Sequence, residues 1–162
     1  MIAPLHTPPW AEPIAVHWVN RAQVGAVIEA FGYYLLRGLK AADLPLTQLA
    51  DDLVAANCWL GVAYQPTPFR PLGIWVTDLR EGYDDGGDFV TIYALSGERL
   101  PAWVPQIEEL VMALARANDC ATVRFMGRAA YKSLVDGLEI IGSTEDGRAL
   151  LFEKKVTARV LQ

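Results

Sequence analysis

From Asp88 to Val156 the chain alternates strand, helix and strand in an order that few sheet topologies accept. Asp88-Phe-Val-Thr-Ile-Tyr-Ala-Leu95 is rich in β-branched and aromatic residues and reads as a strand. It runs into a turn, Ser96-Gly97-Glu98-Arg99-Leu100-Pro101. The spacing of Ile107, Leu110, Val111 and Leu114 then predicts a helix over Pro105–Ala117, with Glu108 near its start and Arg116 near its end to complement the dipole. A second strand follows at Ala121–Met126. Strand, crossover helix and strand make a βαβ unit. After Arg128 the stripe Tyr131, Leu134, Val135 and Leu138 predicts a short helix. Leu138–Thr144 and Arg148–Lys155 flank Asp146-Gly147, a two-residue hairpin signal.

The first half supplies the rest of a sheet and its cover. Ile14–Val19 alternates loosely and reads as a strand. Asn20 can cap a helix with Gln23 answering it, and Val24, Val27, Ile28, Phe31 and Leu35 share one helical face. Gly38 and the Pro45 region end it. A second helix follows Leu46-Thr47, with Leu49, Ala50, Leu53 and Val54 on one face and Asn57 as its stop. Cys58–Tyr64 and Gly73–Leu79 read as strands joined through Pro66, Pro68 and Pro71. The tract Glu81–Asp88, rich in Gly and Asp, reads as a solvated hairpin tip. Its spacing does not fit a calcium loop.

Composition narrows the function classes. At 162 residues and 52% hydrophobic, one compact domain with a substantial core is expected. The net charge of −5, with dispersed basic residues, argues against nucleic acid as a partner. Cys58 and Cys120 lie far apart and read as free buried thiols in a reducing compartment. His6 and His17 are the two histidines and neither neighbours a cysteine, which argues against a zinc site. The first residues lack the pattern of a signal peptide. Glu29 and Arg37 interrupt the apolar run Val24–Leu39, so no membrane span is expected.

The order β–α–α–β–β–β–α–β–α–β–β over Ile14–Val156 resembles the GNAT acetyltransferase fold. Three segments carry the resemblance: Ile92-Tyr-Ala-Leu-Ser-Gly97, Trp103-Val-Pro-Gln-Ile-Glu-Glu-Leu110, and Cys120-Ala-Thr-Val-Arg-Phe-Met-Gly-Arg128 leading to Gly137-Leu138. They look most like the GNAT-like proteins of tailed bacteriophages, including the small internal virion protein of short-tailed phages. The resemblance implies a single-domain α/β (α+β) fold over residues 14–156, with a mixed central sheet flanked by helices and a C-terminal β-hairpin. Met1–Pro13 would form a proline-rich arm and residues 157–162 a tail.

A working acetyltransferase of this family implies three parts. The first is a pyrophosphate cradle of the form Gln/Arg-x-x-Gly-x-Gly/Ala between the fourth strand and its helix. Here Gly97 is the only glycine between Leu95 and the helix, and Pro101 and Pro105 lack N–H groups. Arg99 is the one side-chain substitute. The second is a general acid, commonly a tyrosine four residues before the glycine that ends the short helix. That count lands on Ser133, while Tyr131 falls on the apolar stripe. The third is a base, for which Asp78 and Glu81 are the candidates. His17 reads as a packed or hydrogen-bonded residue, and Ser96-Gly97 is not a nucleophile elbow.

The expectation is therefore a phage virion- or head-associated protein with a degenerate acetyl-CoA loop. It would hold no cofactor and act by binding other virion proteins or copies of itself. Pro8, Pro9, Trp10 and Trp18 are the expected contact residues, because aromatic anchors suit interface centres. Two alternatives stand beside it. One is an acetyl-CoA-dependent N-acetyltransferase with an atypical loop, whose Asp84, Asp85 and Asp88 attract a cationic substrate. The other is an effector that binds a host protein in the host cytoplasm.

Overall fold

The computed structural model describes residues 13–157 apart from 43, 55–57 and 83–86. Pro8, Pro9, Trp10, Asp84 and Asp85 lie outside the described residues. Strand β1 (Ala15–Trp18) leads through a 3-10 turn at Arg21–Gln23 into α1 (Val24–Ala41) and α2 (Leu46–Val54). Then come β2 (Cys58–Pro66), β3 (Phe69–Arg80), β4 (Phe89–Gly97), α3 (Leu100–Ala117), β5 (Thr122–Gly127), β6 (Glu139–Ser143) and β7 (Leu150–Lys155). The strands form one mixed sheet in the order β1-β2-β3-β4-β5-β7-β6. Among the described strands only β4 and β5 pair in parallel, and α3 makes the crossover between them.

Asn20 caps as its residue type predicts, its Oδ1 accepting from the Ala22 amide at 3.0 Å. Gly38 does not stop α1, because its lack of a side chain lets the helix lie against Ser96 and Ala94 of β4. Of the three prolines Pro68 alone lies at the tip of a tight β2–β3 hairpin, in which Pro66 pairs with Phe69 and Pro71 with Tyr64. The C-terminal hairpin has a longer loop than Asp146-Gly147 predicts: Asp146 Oδ1 accepts from the Thr144 hydroxyl and the Arg148 amide, and the strands end at Ser143 and Leu150.

Each face of the sheet carries its own core. On one side α1 and α2 bring Phe31, Leu35 and Leu49 against Leu60, Ile74 and Val76. On the other, α3 brings Trp103, Ile107 and Val111 against Trp75, Phe125 and Phe152. The indoles of Trp18, Trp75 and Trp103 form a row, with centroids 5.5 Å and 6.5 Å apart. Gly61 makes the row fit, since a Cβ there would lie 2.0 Å from the Trp75 ring. Trp18, expected as a contact for a partner, is thus a half-buried member of the core. Among the described residues, no helix is long and apolar enough to cross a membrane.

Candidate functional site

The parallel pair β4/β5 is short. Its register runs from Phe89 opposite Thr122 to Ile92 opposite Phe125, and there it stops. The rest of β4, Ala94–Gly97, continues along β3, while Met126 and Gly127 of β5 continue along β7, which pairs with β5 over its whole length. A gap therefore opens between two parallel strands, with the turn into α3 at its mouth.

A β-bulge marks the point of divergence. Thr77 faces Ile92 and Val76 faces Ala94, which leaves Tyr93 as the extra residue. Val90 and Ile92 point to the α3 core, but beyond the bulge Ala94 belongs to the α1 core and Leu95 to the α3 core. No signal in the sequence announces this, because Val90, Ile92, Ala94 and Ser96 look like one regular alternation.

The turn after β4 is folded onto its own neighbours. The Glu98 amide donates to the Leu72 carbonyl at 2.8 Å, and the Ala102 amide donates to Arg99 at 2.9 Å. The Trp103 indole N–H donates to the Glu98 carbonyl at 2.8 Å. Arg99 takes a left-handed conformation (φ 57°, ψ 38°) just ahead of the helix. Such a left-then-right pair begins an anion-binding nest, but the nest's third amide would belong to Pro101, which has none. Gly97 has a packing reason rather than a ligand reason. A Cβ there would lie 2.3 Å from the Leu72 carbonyl oxygen and 2.8 Å from the buried Trp103 ring.

A charged pair flanks this helix start. The Glu98 carboxylate sits beside the first turn, bridged to Arg70 at 2.6 Å. Burial, and then Glu98, raises the Tyr34 phenol.

α3 begins five residues earlier than Pro105, at Leu100, with Pro101 in its first turn and Pro105 inside it. Leu100 is thus part of the helix rather than of a loop. The segment after Arg128 is a 3-10 turn at Ala129–Ser133 rather than a helix. It still delivers Tyr131 to the core: the ring meets Phe125 edge-on at 5.2 Å, and burial raises its phenol. Ser133 Oγ donates to the Ala130 carbonyl at 2.9 Å and serves the turn. Between α3, β5 and this turn lies a mainly apolar cavity of about 50 Å³ lined by Ile107, Val111, Phe125, Tyr131 and Leu134, with Glu108 and Lys154 also in its lining.

The two candidate bases differ. Glu81 is exposed, just past the end of β3. Asp78 lies on the α1 side of the sheet, with Cys58 opposite it on β2 and Thr91 opposite it on β4. Its Oδ2 accepts from Arg80 at 2.9–3.0 Å, while its Oδ1 is buried with no hydrogen-bond partner. Burial raises its carboxyl above the usual range despite Arg80. The Tyr93 hydroxyl is likewise buried without a partner, and burial and then the neighbouring Cys58 raise it. Sequence reasoning named Asp78 but missed Cys58 and Tyr93 beside it. Sheet register, not sequence spacing, unites them. His17 is spent elsewhere: Nδ1 donates to the Trp18 carbonyl, and Nε2, 2.9 Å from the Tyr64 oxygen, accepts its hydroxyl.

A gap between parallel strands, a bulge at its apex and a helix starting at its mouth are now in view, and comparison decides what they amount to. The chain matches the GNAT-family N-acetyltransferase of Escherichia coli in complex with CoA with TM-score 0.60, at 14% identity over 94% of this chain and 86% of that one. It has the GNAT fold. A GNAT-family acetyltransferase from Elizabethkingia anophelis with acetyl-CoA bound matches with TM-score 0.57, at 13% identity over 88% of this chain and 97% of that one. FeeM, an N-acyl amino acid synthase from uncultured soil microbes, matches with TM-score 0.64, at 9% identity over 89% and 91%. No protein-family model and no curated protein sequence matches the chain. Identities this low establish the fold, whereas function must be argued from the site.

Proposed function

We propose that this protein uses the GNAT fold as a scaffold for contacts with other proteins and does not hold acyl-CoA at the usual place. The carrying observation is the turn from Glu98 to Ala102. Of its five amide positions one is a proline and two donate within the protein. Acyl transfer depends on holding the thioester beside the amine, so losing that grip costs more than losing an acid or base. The setting proposed, a phage virion with other virion proteins or further copies as partners, rests on the sequence resemblance described above. Thermal denaturation with acetyl-CoA tests the cofactor half: ligand at a hundred times its Kd adds about 2.7 kcal/mol of stability. No shift at millimolar acetyl-CoA is expected, and a saturable shift would refute the proposal.

One observation favours a second reading, an acyltransferase with an atypical loop. Asp78, with its unpartnered Oδ1, and Tyr93 on the bulge lie near the apex of the gap. A carboxylate of raised pKa is a suitable base for an ammonium substrate. Acetyl-CoA hydrolysis or transfer to a panel of amines, abolished by Asp78→Asn, would favour it. The third reading, an effector on a host protein, uses the same surfaces. Mass spectrometry of purified particles separates it from the virion role, which requires stoichiometric presence.

A further inference from the structure

Helix α1 buries Phe31, Leu35, Gly38 and Leu39 against the sheet. Its opposite face carries Glu29, Ala30, Tyr33, Leu36 and Arg37, all exposed. Tyr33 is 68% and Leu36 56% exposed, the two most exposed large apolar side chains among the described residues. Gly25 and Gly32 stand on the flank of this face, and a Cβ at either would meet nothing within 4 Å. Glycine inside a helix costs about 1 kcal/mol relative to alanine, and among the described residues nothing packs against either glycine to return that cost.

We propose that this face is where a second copy of the chain packs, α1 against α1, antiparallel about a two-fold axis at Tyr33. The charges choose the occupant and its direction. In such a pair, residues equally far before and after Tyr33 stand level across the interface. Glu29, four before, faces the partner's Arg37, four after, and the symmetry makes this pair twice. Ala30 likewise stands level with the partner's Leu36, a small residue with a large one. The ion pairs fall about 6 Å along the helix from the axis, at 1.5 Å rise per residue, within reach of both side chains. A parallel arrangement would instead set Glu29 on Glu29 and Arg37 on Arg37. Among the described residues neither Glu29 nor Arg37 has an ion pair of its own. Arg37 lies 5.6 Å over the Tyr33 ring, which in turn meets Tyr34 at 5.4 Å, so the central ring is braced before association. The smooth flank at Gly25 and Gly32 lets two helices approach closely. The inference stands whether or not the chain binds acyl-CoA.

Sedimentation velocity across about 5–200 μM, a range that covers micromolar association, tests it with four proteins: wild type, Glu29→Arg, Arg37→Glu and the double swap. Wild type should form a dimer that grows with concentration. Each single swap sets like charges level twice and should weaken the dimer about ten-fold, while the double swap restores it. Both positions are exposed, so matching circular dichroism spectra and melting curves are expected for all four. A wild type that stays monomeric would overturn the proposal. So would a dimer indifferent to the single swaps, or one weakened by them and not recovered by the double swap.

Discussion

Replacing Gly97 by alanine tests the closed turn through its packing. The added Cβ would lie 2.3 Å from the Leu72 carbonyl oxygen, 2.7 Å from the Gly73 Cα and 2.8 Å from Trp103 Cζ2. The first two are backbone atoms of β3, in the middle of the sheet, and the third belongs to a fully buried indole. None can yield as the tip of a flexible side chain could. Gly97 does not have a positive φ, so the whole effect is contact. Overpacking of this kind costs about 1–3 kcal/mol. Displacing the Leu72 carbonyl also breaks its bond with the Glu98 amide and leaves a buried acceptor unpaired, at about 1–3 kcal/mol more. The two are coupled, so a combined loss of about 3–4 kcal/mol is expected rather than a simple sum. That is a large share of the roughly 5–15 kcal/mol typical of a domain. Urea denaturation followed by far-ultraviolet circular dichroism would show a lower midpoint at unchanged slope. Gly32→Ala is the control: its Cβ meets open space, so a gain of about 0.5–1 kcal/mol is expected. If Gly97→Ala stayed within about 1 kcal/mol of wild type, the turn would not lie against Leu72, and the count of its amides would fail with it.

Tyr131→Ala should cost about 2–4 kcal/mol, as truncation of a partly buried core ring does, while Tyr131→Phe should leave melting almost unchanged because the ring, not the hydroxyl, makes the contact with Phe125. Burial raises the thiols of Cys58 and Cys120, so a thiol reagent should label neither quickly in the native protein and both on unfolding; fast native labelling would refute their burial. Asp78 has a folded pKa raised by burial. Its contribution is therefore fully present below the unfolded pKa and is lost as pH rises through the folded value. Asp78→Asn should consequently gain on wild type between acid and neutral pH in denaturant titrations, and an advantage that shrinks with rising pH would contradict the assignment.

The βαβ unit and the layers of the fold were legible because alternation and helical stripes report which faces are buried. Ile107 and Val111 enter the core as their spacing predicts, with Leu110 and Leu114 packed against it. Boundaries were less legible where packing overrides local preference. The prolines at 101 and 105 argue for a late helix start, yet α3 begins at Leu100 so that Trp103 and Val104 can be buried. The stripe Tyr131, Leu134, Val135 and Leu138 reads as a helix, but a 3-10 turn and a following loop bring the same residues to the core. The poverty of donors after Gly97 was readable from the two prolines. The bonds of Glu98 and Ala102, and the meeting of Cys58, Asp78 and Tyr93, depend on sheet register and a bulge, which no local pattern encodes. The packing of Trp18 in a row of indoles was not legible, since the row needs partners on other elements that the sequence does not place.

Backbone amide shifts of isotopically labelled protein, followed while CoA is added to millimolar concentration, test the closed turn most directly. The amides of Glu98 and Ala102 should hold their positions, with no saturating change from Gly97 to Trp103. Saturating shifts concentrated in that segment would contradict the account and return the chain to the acyl-CoA-binding proteins whose fold it shares.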